Sequence, residues 1–192
     1  MIAVSQMFLA GRLSRERIRR LLESQNGAGF SYPEVGATRG ALPAGYNIDR
    51  AQFYLGQGEG AFERGRSAIN RWRMFDIGWI HIYWPDAPAP RSTVGVVARF
   101  GGIWSFNVCR IVYVMDGPRE YGFAYGTLPE HAESGEERFT VTWREDDSVW
   151  YELLAFSRPN QLPARIAYPL TRFLQSKFRR DSGEAMRRSV QD

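Results

Sequence analysis

From Trp79 to Phe156 the chain is a succession of strand-like runs joined by turns too short for a crossover, which forces antiparallel pairing between neighbours. Trp79–Trp84 alternates, with Ile80, Ile82 and Trp84 on one side and Trp79, His81 and Tyr83 on the other. Thr93–Phe100 is rich in valine, and Gly101-Gly102 signals a hairpin before Trp104–Val114, the longest candidate strand. A turn at Asp116-Gly117-Pro118 leads into Tyr121–Thr127. Glu137–Arg144 and Val149–Phe156 follow, joined at Glu145-Asp146-Asp147.

Helical periodicity brackets this region. Ser14 is a good N-cap for a short helix, Leu13 and Ile18 have staple spacing, and Ile18, Leu21 and Leu22 form its apolar edge. Residues 30–58, rich in Gly, Pro and Tyr, read as a long connection or a few short strands. A second helix is expected from about Ala61 to Phe75. A third, from about Pro163 to Arg180, should lay a stripe of Ile166, Leu170, Phe173 and Leu174 on the sheet. The expected fold is α+β: an antiparallel meander of about six strands packed on a long C-terminal helix, helix-grip-like, with an apolar cavity between them. Residues 1–29 read as an N-terminal helical extension, 30–182 as a single domain and 183–192 as a C-terminal tail.

Composition narrows the function. The 192 residues suffice for one domain. Of 25 basic residues only Lys177 is lysine, and the whole net charge of +4 falls after residue 162, the rest being neutral. Such asymmetry does not suit nucleic-acid binding, which needs a basic stripe across the folded body. No apolar run is long enough for an integral membrane span. In MIAVSQMFLAG the arginines follow the apolar stretch, the wrong order for a secretory signal, so a cytoplasmic domain is expected. One cysteine and two histidines exclude a cysteine-rich zinc site, and no metal is expected. Gly56-x-Gly58-x-Gly60 lacks the spacing and the following lysine of a phosphate loop, so no cofactor is expected either.

The polar residues worth following lie in two places. His131, with Glu133, Glu136 and Glu137 close by in sequence, could serve as a general acid or base. Arg110 sits in an apolar strand face with Trp104, Phe106, Val108, Val112 and Val114; it should be buried and paired with Glu136, Glu137 or Glu152. A pocket gathering Arg110, Tyr125 and Thr127, with His131 at its mouth, would let arginine hold an oxygen while histidine moves a proton. Gly122, Ala124 and Gly126 form a row without bulk, leaving space for a ligand or a close-packed helix. His81 lines a pocket or belongs to an aromatic patch, and Cys109 has no base beside it.

The string GFAYGTLPEHAESGEERF, followed by SVWYELLAFSRP, resembles the signature of the domain-of-unknown-function family "nineteen-ninety" of bacteria and plants. Tyr32, Val35-Gly36-Ala37-Thr38, Pro43-Ala44-Gly45-Tyr46, Leu55-Gly56-Gln57-Gly58, Trp72, Gly78-Trp79 and Pro169 fit the same pattern, covering roughly residues 30 to 180. The resemblance implies no reaction, cofactor or substrate. It adds Tyr46, Ser157 and Arg158 to Arg110, Tyr125, Thr127, His131, Glu136 and Glu137 as motif positions, without roles. The expectation is a binding protein for a small apolar or carboxylate/carbonyl-bearing molecule, with Arg110 and His131 as candidate catalytic residues. Tyr46, Tyr125, Thr127, Glu136, Glu137 and Arg158 are the candidate ligand contacts, and lyase, cyclase or hydrolase chemistry is compatible with them. The alternative is a non-enzymatic partner-binding or membrane-peripheral module that uses the basic C-terminal helix.

Overall fold

The computed structural model describes residues 8–9, 14–83, 86–129, 131–160 and 168–191. In chain order its strands are β1 (Phe8–Leu9), β2 (Asn47–Gln57), β3 (Ile80–Tyr83), β4 (Thr93–Phe100), β5 (Ile103–Asp116), β6 (Glu120–Thr127), β7 (Glu133–Trp143) and β8 (Ser148–Pro159). The helices are α1 (Arg15–Ser24), α2 (Gly58–Asn70) and α3 (Tyr168–Gln191). The sheet runs β2-β8-β7-β6-β5-β4-β3, all antiparallel, with β1 against β5. The meander is thus present as β3 to β8. A strand from the Gly/Pro-rich connection, β2, continues it beyond β8.

α2 and α3 cover one face of the sheet and α1 the other. The larger core joins Ala61, Phe62 and Ile69 of α2 and Phe178, Met186 and Val190 of α3 to Ile111, Phe123, Phe139, Val141 and Tyr151 of the sheet. On the outer face Ile18, Leu21 and Leu22 pack on Val97, Phe106, Val108 and Leu128. Ser14 caps α1 by accepting from the Arg17 amide at 3.2 Å; Leu13 lies outside the described residues.

Two helices differ from expectation. α2 stops at Asn70 because Trp72 takes a left-handed conformation (φ 57°), and its indole then donates to the Asp86 carbonyl at 2.8 Å. α3 does not end at Arg180: residues 183–191, read as a tail, are its last turns and bury Ala185, Met186 and Val190. Its first turns rise off the sheet, so Leu170 and Phe173 are 43% and 56% exposed. Ile166 lies outside the described residues.

In β5 the pairing slips between Ile111 and Tyr113. Trp104, Phe106 and Val108 share the outer face with Arg110, as alternation predicts. After the slip Val114 packs into the inner core while Tyr113 reaches Thr38 outside. One extra residue reverses the alternation of everything downstream.

Candidate functional site

A cavity of about 230 Å3 lies between the inner face of the sheet and the first half of α3. Phe75, Trp79, Ile80, Val96, Leu174 and Phe178 form its apolar wall. The polar groups gather where β2, β7 and β8 meet α3. Asp49, 8% exposed, accepts from Arg172 Nη1 and Nη2 at 2.6 and 2.8 Å and pairs with Arg179 at 2.8 Å. Seven residues apart, the two arginines stand two turns apart on one face of α3, so both reach the same carboxylate. Glu133, also 8% exposed, accepts from Gln175 Nε2 at 2.8 Å, and burial raises its carboxyl pKa.

Glu137 is the most perturbed of these acids. Burial pushes its carboxyl up to about 7, outweighing the hydroxyl of Tyr125, which donates to it at 2.8 Å; Asp49 adds to the rise and Arg179 opposes it. His131 lies at the rim, where its Nδ1 accepts from the Glu133 amide at 2.9 Å. That bond leaves the ring proton on Nε2, and burial lowers the imidazole to about 4. At neutral pH His131 is therefore an uncharged donor with its acceptor nitrogen occupied. Glu137 is the group whose protonation is balanced near pH 7, as acid–base work requires.

The expected site residues divide between the two faces of the sheet. Tyr125, Thr127, His131 and Glu137 line the cavity. The Thr127 hydroxyl also accepts from the Gly135 amide at 2.9 Å and pairs with Ser31 Oγ at 2.6 Å. Glu136 adjoins the cavity, but its carboxylate accepts from Tyr32 Oη and the Gly36 amide, both at 2.7 Å, and from the amide and hydroxyl of Thr38. These donors belong to the segment before β2, which crosses the outer face. Gly36 can join because it adopts φ +88°, where a side chain would be strained. Tyr46 is held on the outer side too, donating to Glu34 at 2.7 Å with the Arg158 guanidinium 4.5 Å from its ring centroid.

Arg110 corrects the expectation most clearly. It pairs with no carboxylate among the described residues: its guanidinium donates to the carbonyls of Ala28 (2.6 Å), Gln25 (2.7 Å) and Asn26 (3.2 Å) at the end of α1. A helix end presents unpaired carbonyls and partial negative charge, which satisfy an arginine as a carboxylate would. It points away from the cavity, so the pocket shared by Arg110 and His131 does not form. The Gly122-Ala124-Gly126 row takes neither ligand nor helix at Gly126, where a Cβ would collide with Tyr32 and Phe30. His81 is exposed, its ring stacked 6.5 Å from Trp104.

Sequence reasoning missed Asp49, Arg172, Gln175 and Arg179. The i, i+7 spacing of the two arginines was a visible signal; their meeting with Asp49, more than a hundred residues earlier, was not. A separate groove of about 470 Å3 between α2 and the end of α3 is lined by Arg64, Arg71, Arg73 and Arg188, which are exposed. Among the described residues no group of three or more His, Cys, Asp or Glu is placed to hold a metal ion. No described helix is long and apolar enough to cross a membrane.

The chain is 35% identical over 158 residues to a Dictyostelium discoideum protein named UPF0548 protein, covering 76% of this chain and 73% of that one. A Deinococcus radiodurans protein of the same name is 35% identical over 153 residues, covering 73% and 77%. Among solved structures, hypothetical protein jhp0584 of Helicobacter pylori superposes with a TM-score of 0.55 over 82% of this chain and 94% of that one. At 9% identity that match speaks for the fold alone. With the family model for the domain of unknown function DUF1990 matching residues 31–185, the chain belongs to that family.

Proposed function

We propose that this protein binds a small, largely apolar molecule between the inner face of the sheet and α3. One observation carries the reading: a cavity with aromatic and aliphatic walls has its polar side chains converging at one end, the arrangement of small-molecule sites. Its volume, about 230 Å3, lies below the usual range for drug-sized ligands and favours a compact one. Glu137 with Tyr125 is the pair equipped to move a proton, if the bound molecule is also transformed by lyase, cyclase or hydrolase chemistry. His131, neutral and donating through Nε2, is suited to orient a ligand oxygen.

Native mass spectrometry of the purified chain tests this reading directly, because a retained ligand appears as a mass increment. Ala155 lines the cavity, and Ala155→Phe would fill it. The increment should vanish in that variant; its persistence would place the ligand elsewhere.

A membrane-peripheral role has one supporting observation. Phe100, Ile103, Leu170 and Phe173 are all exposed, and Phe173 meets Phe100 at 6.3 Å. The basic helix supports it less than its composition suggests, since Arg172, Lys177 and Arg179 are already bound to Asp49 and Asp181. Co-sedimentation with anionic vesicles, lost on Phe173→Ser, would favour it.

A further inference from the structure

Among the described residues, the ion pairs around the cavity leave its wall with unbalanced negative charge. Four acidic residues line it, but the Glu136 carboxylate is bound by Tyr32, Gly36 and Thr38 on the outer side, so Asp49, Glu133 and Glu137 supply the inward carboxylates. Among the described residues Arg172 and Arg179 are the cations beside them, and both are bound to Asp49. Glu133 and Glu137 make no salt bridge among the described residues; each takes a neutral donor instead, Gln175 and Tyr125 respectively, at 2.8 Å. Glu137 accepts through Oε2 alone, and its Oε1 has no donor among the described residues. With all three acids ionised, the described residues at this end of the cavity carry one more negative than positive charge.

The remaining groups around Glu137 do not correct the imbalance. Cys109 on β5, Tyr125 on β6 and Tyr151 on β8 are pushed up by burial and stay neutral. His131 is neutral as well. The arginine expected to receive a ligand carboxylate, Arg110, lies on the other face of the sheet, so an anionic ligand would bring a fourth carboxylate to the wall. The aromatic rings of Phe75, Trp79, Tyr125 and Phe178 can stabilise positive charge through their π faces. The fold already shows the effect, with Lys177 Nζ 5.1 Å from the centroid of Trp79.

We propose that the ligand is an organic cation, an amine with a compact apolar body, whose ammonium group is held by the free oxygen of Glu137 with Glu133 alongside. The inference rests on the cavity being the ligand site, and of the apolar or carboxylate/carbonyl-bearing ligands expected from the sequence it replaces the carboxylate-bearing one with a ligand of opposite charge.

A matched set of probes tests it: benzylamine, benzyl alcohol and benzoate, titrated into the full chain at pH 6 and pH 8 with binding followed by ligand-observed NMR. Benzylamine should bind on the order of tenfold more tightly than benzyl alcohol, as a charge-assisted hydrogen bond predicts, and benzoate least of all. Its affinity should rise from pH 6 to pH 8 as Glu137 loses its proton while the amine keeps its own. Glu137→Gln should bring benzylamine to within about twofold of benzyl alcohol and leave the alcohol unchanged, since a single neutral hydrogen bond is weak in net terms. The wild-type ranking stands whether or not that variant folds. Equal binding of amine and alcohol, tighter binding of benzoate, or an amine preference that survives Glu137→Gln would overturn the proposal while leaving the cavity as a ligand site. Binding by none of the three would overturn both.

Discussion

Replacing Glu136 with glutamine should destabilise the protein by about 3–5 kcal/mol, although it changes one atom and hardly any volume. The carboxylate is 2% exposed and receives four donors: Tyr32 Oη, the Gly36 amide, the Thr38 amide and the Thr38 hydroxyl. Glutamine offers one acceptor oxygen and one NH2 group. Whichever way the amide is turned, its NH2 faces a backbone N–H, either that of Gly36 or that of Thr38, and neither can reverse its polarity as a hydroxyl can. An orphaned buried donor costs about 1–3 kcal/mol, and the surviving bonds each lose about 1 kcal/mol of charge assistance. For a chain of this length about 1 kcal/mol lowers Tm by roughly 2–4 °C, so the fall should be on the order of 10 °C. Circular dichroism during thermal and urea unfolding reads it, and trypsin cleavage at Arg39, within the clasped segment, should quicken. Tyr32→Phe removes one donor of the four and should cost about 1.5–3 kcal/mol, and the double variant should lose less than the sum of the singles. A Glu136→Gln protein melting within about 2 °C of wild type would refute this account of the clasp.

Leu170→Asp should shift stability by no more than about 0.5 kcal/mol in urea unfolding, because that side chain is 43% exposed, whereas Met186→Ala on the same helix should cost about 2–5 kcal/mol. Arg110→Ala should cost about 1–3 kcal/mol by stranding the carbonyls that end α1, with no change in benzylamine affinity measured by the same titration. His131 and Glu137 should tilt stability against pH in opposite senses. The imidazole falls from 6.5 to about 4 on folding, so the unfolded chain binds the extra proton between those values and stability is lost as pH falls. The Glu137 carboxyl rises from 4.5 to about 7, so the folded chain binds the extra proton and stability is lost as pH rises through that window. Urea midpoints from pH 4 to 8 should show His131→Gln removing the first slope and Glu137→Gln the second; an unchanged profile in either variant refutes the corresponding assignment.

What could be read from the residues follows the range of the interactions. The meander from β3 to β8 was legible because alternation and turn chemistry are local. Tyr125, Thr127, His131 and Glu137 stood out together because a single hairpin, β6–β7, carries them all. β2 was hidden by its own chemistry: it turns Asp49 inward and leaves Ile48 and Tyr54 39% and 42% exposed, which scrambles the apolar alternation. The bulge after Ile111 leaves no mark in residue types, yet it decides which face Val114 occupies. The partner of Arg110 could not be found by looking for opposite charge, since backbone carbonyls do the same work.

The pairing of β2 with β8 has a consequence for how the chain comes into being. Asn47 lies beside Ser157, and Asp49 is bound by Arg172 of α3, so β2 and Asp49 must wait for partners more than a hundred residues downstream. During synthesis the meander can assemble hairpin by hairpin as it leaves the ribosome, but the polar end of the cavity cannot exist until α3 has followed it. A ligand retained by this protein would therefore mark a finished chain, and a translation product stopped before Arg172 would bear the sheet without the grip.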